Sequence, residues 1–206
     1  MVVQTRQTHH SLSLVAVPSD PIWRLSIDQY HQMIRIGILT DDDPVELLEG
    51  WLVTKMPKNP PHRLSTQLTR EVVARLLPEA WHVQDQEPIT VEDSEPEPDV
   101  AVIAGDRRDY RDRHPSAQDV ALVIEVSDTT LQRDQTIKKQ IYARAGIEMY
   151  WIINLPEQRL EVYTRPSADG EDADYHQSIM YTHDELVPLS IGGQAVGNIL
   201  VRDLLP

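Results

Sequence analysis

The chain contains one apolar run, residues 120–124, that is followed directly by an acid, Glu125, and then by Val126. A run without polar alternation is typical of a central strand in a sheet that is covered on both faces. Burying an ionised carboxylate there costs several kcal/mol, roughly, unless a cation or hydrogen-bond donors compensate it. The run therefore predicts a sheet buried on both sides and a partner for Glu125 inside the protein.

A second acid, Asp99, opens another apolar run, residues 100–103, after an acidic, proline-rich and therefore extended stretch. If the two runs form paired neighbouring strands, Asp99 and Glu125 can share one Mg²⁺ or Mn²⁺, since hard cations prefer oxygen ligands. In the alternative interpretation, Asp99 caps its strand and Glu125 binds an arginine or a backbone amide. For Asp99 alone that alternative is the more common case, whereas an unpaired buried glutamate is rare.

A lysine, Lys138, lies on a helix predicted over about residues 129–145, with Ile137 and Ile141 facing inward. Spacings of four residues place Lys138 on one helix face with Asp134 and Tyr142. Near the two acids, its ammonium could orient the attacking water or stabilise charge on a phosphate. Alternatively, Asp134 and Lys138 form a surface pair that contributes about 0.3–0.5 kcal/mol. Asp99, Glu125 and Lys138 together form the constellation of a metal-dependent phosphodiesterase.

Two further residues could join this site. Glu46 lies in residues 45–48, the first strand of a predicted hairpin with residues 51–54, and could be a metal ligand or be solvated by simple alternation. His62 follows Asn59 and two prolines at the start of a predicted helix. It could contact phosphate or carry a proton, although a first-turn histidine more often faces solvent.

The charge balance limits the substrate classes. The 206 residues include 19 Lys plus Arg against 33 Asp plus Glu, a net charge of −14, whereas polyanion binding is driven by cationic contacts. A nuclease with this balance needs local basic surface or a partner that supplies it. The arginines of residues 107–113 alternate with aspartates, so we interpret that segment as a solvated loop.

Other classes are disfavoured. The chain has no cysteine, which excludes disulfides and thiolate metal sites. It has no glycine-rich phosphate loop, no serine nucleophile elbow and no zincin-type histidine pair, which disfavours NTPases, triad hydrolases and zinc peptidases.

Neither a signal peptide nor a stretch of membrane-span length is evident, which predicts a cytoplasmic protein without membrane association. We expect a flexible segment over residues 1–21 and one α/β domain over residues 22–206.

Several segments together resemble the Uma family of restriction endonucleases, a branch of the PD-(D/E)XK nuclease superfamily. The resemblance extends over about residues 22–205. The matching segments are VELLEG at 45–50, His62 after a proline turn, EPDVAV at 97–102, LVIEVS at 122–127, the series Asp134, Lys138 and Tyr142, AGI at 145–147 and YWIIN at 150–154. The resemblance implies a mixed central sheet flanked by helices, with additional hairpins, and Mg²⁺-dependent hydrolysis of phosphodiester bonds in DNA.

The resemblance also implies roles for single residues. Asp99 and Glu125 match the two motif acids, and Glu46 matches an upstream acid near the metal. The superfamily pattern has a lysine two residues after the glutamate, where this chain has Ser127. The resemblance assigns the role of that lysine to Lys138, on the following helix. Three more residues are candidates for substrate binding or support, namely His62, Asp134 and Tyr142.

Two functions from other classes remain open. The first is a binding or scaffolding module without catalysis, which the net charge favours and which could form a homodimer through residues 160–163 or the C-terminal tail. The second is a hydrolase of a nucleotide or another small phosphoester, because such a substrate needs no DNA-sized basic groove.

Overall fold

The computed structural model describes residues 22–40, 42–168 and 173–206, so the predicted flexible segment 1–21 lies outside the described residues. In chain order the helices and strands are α1 (Ile27–Arg35), β1 (Val45–Leu48), β2 (Trp51–Thr54), α2 (Pro60–Leu76), β3 (Trp81–Gln84), β4 (Val100–Ala104), β5 (Val120–Ser127), α3 (Leu131–Arg133), α4 (Lys139–Arg144), β6 (Met149–Asn154), β7 (Arg159–Ser167), β8 (Asp174–Thr182), β9 (Leu186–Ile191) and β10 (Gln194–Leu200). A π-helical turn, Asp134–Lys138, joins α3 to α4.

The central sheet has six strands in the order β3-β4-β5-β6-β7-β8. Strands β5 and β6 are parallel and the other neighbours are antiparallel. Two separate hairpins, β1-β2 and β9-β10, accompany this sheet. The predicted fold class, a mixed central sheet flanked by helices with additional hairpins, is therefore confirmed.

Strand β5 lies inside the sheet with apolar clusters on both of its faces. Leu122 and Ile124 pack in one cluster, which includes Trp151 of β6 and Val73 of α2. Val123 packs in the other cluster, which includes residues of α4. Each fully buried aliphatic side chain contributes about 1.5–3 kcal/mol. The two-sided burial predicted from the apolar run is thus observed, and it fixes the position of Glu125 within the core.

Helix α2 packs on the core through small hydroxyl residues in addition to part of its leucine-rich stripe. The helix begins after Asn59, whose side chain accepts a hydrogen bond from the backbone N–H of His62. Its buried residues are Ser65, Thr66, Thr69 and Val73. Apolar spacing predicts a stripe of Leu64, Leu68, Val72, Leu76 and Leu77, of which Val72, Leu76 and Leu77 pack against the core, whereas Leu64 is 45% exposed. Small hydroxyl residues allow close approach, and Ser65 satisfies its hydroxyl by donating to the Leu204 carbonyl at 2.6 Å.

The helical segment after β5 is interrupted by its π turn. The predicted helix over residues 129–145 forms as α3, the π turn and α4. A π turn contains more residues than an α turn, so it rotates the face that the following residues present. Ile137, predicted to face inward, is 42% exposed, whereas Lys138 is only 4% exposed. Ile141 is buried as predicted.

One of the predicted dimer surfaces, residues 160–163, lies inside the central sheet. Residues 160–163 belong to β7, which pairs with β6 on one side and β8 on the other, and Leu160 is fully buried. This segment therefore cannot serve as an exposed dimer edge.

The tail adds a strand that the sequence did not predict, β9, which pairs with β10. Within the described residues no helix is long and apolar enough to cross a membrane, and the cytoplasmic location stays a prediction.

Candidate active site

The strand register brings the two predicted metal-binding acids together. Val100 of β4 pairs with Ile124 of β5 in an antiparallel arrangement, which places Asp99 beside Glu125. Oδ2 of Asp99 accepts a hydrogen bond from the backbone N–H of Val126 at 3.0 Å. Asp99 and Glu125 are both buried. The edge of the β4–β5 pair therefore holds two carboxylates that have little access to solvent.

The π turn carries Lys138 to the same place. Its Nζ lies 2.9 Å from Oε1 of Glu125 and 3.3 Å from Oε2 of Glu46. The alternative surface pair with Asp134 does not form. Asp134 instead accepts hydrogen bonds from the hydroxyls of Ser127 and Thr130, each at 2.7 Å. Lys138 is a buried cation between two buried acids.

Glu46 approaches from the hairpin β1-β2 and shares Lys138 with Glu125. Its Oε2 also accepts the backbone N–H of Glu97 at 3.2 Å, and its Oε1 lies 3.8 Å from Nη2 of Arg133. Both oxygens of Glu46 thus face positive or donating groups. Its predicted role as a metal ligand stays a prediction.

His62 and Tyr142 each contact one of the acids. Nε2 of His62 lies 3.1 Å from Oδ2 of Asp99. The hydroxyl of Tyr142 donates to Oε1 of Glu125 at 2.7 Å. Both contacts hold a carboxylate in one orientation, which is how residues around a metal ligand tune it.

Sequence reasoning missed three basic residues of the site, one of which, Lys55, donates to Glu97 at the cavity. Nζ of Lys58 lies 3.6 Å from Oδ1 of Asp99. Arg133 lies beside Glu46, and its Nε is buried without a hydrogen-bond partner. Arg133 directly precedes Asp134, which was singled out, but neither residue type nor spacing distinguished it from the arginines of exposed loops.

The charges of the site are unevenly compensated. Burial would lower the pKa of Lys138, but the attraction of Glu125 and Glu46 outweighs it and holds that pKa above its ordinary value. Burial would raise the pKa of Asp99, but the hydrogen bond and charge of His62 and the Val126 amide hold it below its ordinary value. For Glu125, burial outweighs the attraction of Lys138 and raises the pKa. Glu125 is the acid that lacks sufficient positive charge.

The donor atoms fit a hard divalent cation. Within the described residues, the hydrogen bonds to Glu125 end on Oε1 and those to Asp99 end on Oδ2. One oxygen of each acid thus accepts no hydrogen bond at a cavity of about 70 Å³ that both acids line, and the one of Asp99 lies 3.6 Å from Nζ of Lys58. In the same described part of the chain, no three acids or histidines lie close enough to hold an ion. Two carboxylates with retained waters are a ligand set that Mg²⁺ accepts, and the cavity has room for several waters.

The remaining predicted residues also reach this cavity. Besides Asp99 and Glu125, its lining includes Glu46, His62, Asp134 and Lys138. Tyr142 lies behind Glu125 and contacts it from within the core. All seven candidate residues are therefore at one place in the fold, while their chemical roles stay predictions.

Fold and site together define an α/β protein of the nuclease-fold class. A solved structure supports the fold. It is described as a "putative nuclease belonging to DUF820" from Anabaena variabilis ATCC 29413, with a TM-score of 0.62 and 18% sequence identity over 87% of this chain and 97% of that chain. The sequence pattern of the Uma2 family, described as "Putative restriction endonuclease", matches residues 27–193, and the chain belongs to this family. The resemblance found in the sequence is thus confirmed. No curated protein matches the chain.

Proposed function

We propose that this protein is a metal-dependent nuclease that hydrolyses phosphodiester bonds in DNA. One observation carries the proposal, namely that Asp99, Glu125 and Lys138 meet at one cavity with two carboxylate oxygens free of hydrogen-bond donors. Membership in a family described as restriction endonucleases supports nuclease activity. The structural arrangement supports Mg²⁺ or Mn²⁺ as the cofactor.

Asp99 and Glu125 would hold the cation. Glu46, predicted as a further ligand, would bind it only after turning away from Lys138 and the backbone N–H of Glu97. Bound there, the cation would supply Lewis-acid activation of water and offset the charge that develops on the phosphate. His62 fixes the orientation of Asp99, and Tyr142 fixes that of Glu125. These two residues act through the acids, so they are positioning residues.

Lys138 would act on the reacting groups. Its ammonium has three N–H donors, of which one donates to Glu125, while Glu46 lies 3.3 Å away as an ion-pair partner. Another can orient the attacking water or a phosphate oxygen. Attack of that water forms a new phosphorus–oxygen bond and breaks the bond to the 3′ oxygen, which leaves with a proton. The products are a 5′-phosphate and a 3′-hydroxyl, by resemblance to the superfamily.

The test is a cleavage assay with the full chain on supercoiled, linear duplex and single-stranded DNA, with Mg²⁺, with Mn²⁺ and with EDTA. We expect metal-dependent cleavage that is lost in Asp99→Asn and Glu125→Gln. The matched control is Asp174→Asn, because Asp174 is an exposed acid paired with Lys139 away from the cavity. No cleavage by the wild type, or equal cleavage by Glu125→Gln, contradicts the proposal.

A second candidate function is a binding module that has the nuclease fold without its activity. The net charge of −14 favours it, since that charge repels a polyanion. Calorimetry with Mg²⁺ separates the two functions. If the protein is a nuclease, the wild type should bind Mg²⁺ and Glu125→Gln should bind it more weakly. Absence of Mg²⁺ binding by the wild type would favour the binding module. Cleavage of nucleotides but not of oligonucleotides would instead identify a hydrolase of small phosphoesters.

A further inference from the structure

The two oxygens of Asp99 have basic partners that are held in different ways. Oδ2 accepts a hydrogen bond from the backbone N–H of Val126 at 3.0 Å and lies 3.1 Å from Nε2 of His62, whose side chain is 13% exposed. Oδ1 accepts no hydrogen bond among the described residues, and Nζ of Lys58, whose side chain is 36% exposed, lies 3.6 Å from it. One oxygen of Asp99 is therefore fixed from within the protein, and the other faces a loosely held ammonium.

Lys58 is the least constrained lysine or arginine among the described residues that line the active-site cavity. Lys138 is only 4% exposed and donates to an acid, and Lys55 donates to both oxygens of another acid. Arg133 donates to a backbone carbonyl at 3.2 Å. For Lys58 the described contacts comprise only the long ion pair with Asp99. Lys58 also has a flexible stem and lies in the segment that joins β2 to α2, so its ammonium can move.

The oxygen that Lys58 faces is the one that a metal ion would need. His62 and a backbone amide already occupy Oδ2 of Asp99, which leaves Oδ1 for a cation. A divalent cation on Oδ1 and an ammonium beside the same oxygen repel each other, and the reduced dielectric of a half-buried site strengthens that repulsion. Lys58 can relieve the repulsion by moving toward solvent, whereas the buried Lys138 cannot.

The charge balance of the cavity favours such a movement. Six acids and four lysines or arginines line the cavity within the described part of the chain. One divalent cation therefore balances the acids while every lysine and arginine keeps its charge. The acid that the cation takes from a basic residue is Asp99, so Lys58 is the group that is left without its partner.

We propose that Lys58 exchanges partners when the metal binds: it leaves Oδ1 of Asp99 and then contacts a non-bridging oxygen of the substrate phosphate. The inference rests on the nuclease function proposed above and adds a residue to its machinery. An ammonium is a common partner of phosphate, and the exposure of Lys58 at the cavity gives it access to a phosphate that enters from solvent. Lys58 makes and breaks no covalent bond, and its contribution is charge compensation at the phosphate.

Calorimetric titration of the full chain with Mg²⁺ tests the first half of the exchange. Lys58→Met removes the charge and keeps a side chain of similar length. We expect Lys58→Met to bind Mg²⁺ several-fold more tightly than the wild type, because no ammonium has to be displaced. His62→Ala, which changes the other oxygen of Asp99, should bind Mg²⁺ more weakly. A purely structural role of Lys58 would not produce these opposite signs.

Matched variants separate metal binding from folding. Lys58→Arg keeps the charge and should keep the wild-type affinity for Mg²⁺. Lys139→Met removes a lysine that pairs with Asp174 outside the cavity, and it should bind Mg²⁺ as the wild type does. In Lys58→Met, Asp99 keeps both contacts of Oδ2. Its thermal midpoint in EDTA should therefore lie within about 4 °C of the wild type.

DNA cleavage rates test the second half of the exchange. At saturating Mg²⁺, Lys58→Met should cut several-fold more slowly than the wild type, because the phosphate has lost a cation. The same variant should reach half of its own maximal rate at a lower Mg²⁺ concentration. Lys139→Met should match the wild type in both measurements. Damage to the metal site would instead raise the Mg²⁺ concentration that is needed.

The outcomes distinguish this proposal from the nuclease function. Unchanged or weaker Mg²⁺ binding by Lys58→Met, in a protein that cuts DNA, would overturn the exchange and leave the nuclease function standing. Tighter binding with a wild-type rate at saturating Mg²⁺ would overturn the contact with the phosphate. If the wild type cuts no DNA, Mg²⁺-dependent binding of a fluorescent oligonucleotide replaces the rate. Tighter Mg²⁺ binding and weaker oligonucleotide binding by Lys58→Met would then support the exchange and contradict the nuclease function, whereas wild-type values of both would contradict the two proposals together.

Discussion

Lys138 places its ammonium nitrogen 2.9 Å from Oε1 of Glu125, although the two residues are 13 positions apart and on different elements. The π turn makes this contact possible, because it turns Lys138 and not Ile137 toward the sheet. Ser127, at the position where the superfamily pattern has its lysine, donates its hydroxyl to Asp134 at the start of the π turn. The residue in the usual lysine position thus helps to hold the helical segment that carries the lysine.

Replacing Lys138 should destabilise the protein strongly. Lys138→Met removes the only close cation of Glu125 among the described residues and leaves that acid and Glu46 buried together. Removing one partner of a buried pair costs about 3–5 kcal/mol, so urea denaturation without metal should show a loss of that size in the free energy of unfolding.

The neighbouring Lys139→Met is the matched control. Lys139 pairs with the exposed Asp174, and a pair of that kind contributes about 1 kcal/mol or less. Equal losses of stability in the two variants would show that Lys138 is not the counter-ion of the buried acids.

His62→Ala should weaken metal binding more than it weakens folding. The imidazole contacts Asp99 at 3.1 Å, and loss of such an outer contact to a metal ligand typically costs about 10–100-fold in affinity. Calorimetric titration with Mg²⁺ measures the change, and His62→Gln, which keeps a donor, should recover part of it. His183→Ala, at an exposed position, is the control. Unchanged Mg²⁺ affinity in His62→Ala would show that His62 does not support metal binding.

The apolar runs were sufficient to predict the strands that hold the two acids. Residues 120–126 predicted a buried strand with Glu125 in it, and residues 100–103 predicted another strand that follows Asp99. The pairing of these strands, which brings the acids together, was a condition of the metal hypothesis, and the hydrophobic pattern alone did not predict it. Lys138 was a candidate from its place on the helix after that strand, and the family resemblance assigned it the role of the motif lysine.

Features that depend on tertiary packing were not predictable in the same way. The π turn has no local sequence signature, so Ile137 was assigned to the interior and proved exposed. Helix α2 buries Ser65 and Thr69 because their small side chains fit close to the sheet, whereas periodicity indicated only the apolar residues, of which Val72, Leu76 and Leu77 do pack on the core. Lys58 and Lys55 reach the site from the segment after β2, and their acid partners are distant in sequence.

The pair of Arg113 and Asp119 should make stability depend on pH in acid. The hydrogen bond from Arg113, with those from Ser116, outweighs burial and lowers the pKa of Asp119 to about 2. A lowered folded-state pKa stabilises the protein above the ordinary pKa of an aspartate, and this contribution disappears as pH falls toward the folded value.

Asp119→Asn tests this pair, because the amide oxygen can still accept hydrogen bonds while the charge is gone. At about pH 7 the variant should be less stable by roughly 0.2–1 kcal/mol, the range of exposed pairs, and at about pH 3 the difference should be smaller. Urea denaturation at both pH values measures it. A difference that grows as pH falls would contradict the assignment.

Gly50→Ala should cost more stability than Gly193→Ala, although both glycines have φ of +77°. A side chain in this left-handed region costs about 1–2 kcal/mol at either position. At Gly50 a Cβ would also lie 2.6 Å from Cβ of Arg24 and 2.9 Å from the carbonyl oxygen of Leu25, whereas at Gly193 it has no described neighbour within 4 Å. Overpacking of this kind adds about 1–3 kcal/mol, and the strain falls on the turn that leads from β1, the strand of Glu46. Thermal unfolding of the two variants measures the difference. Equal midpoints would show that Arg24 and Leu25, before α1, move away from Gly50 without cost and do not hold the β1-β2 hairpin in place.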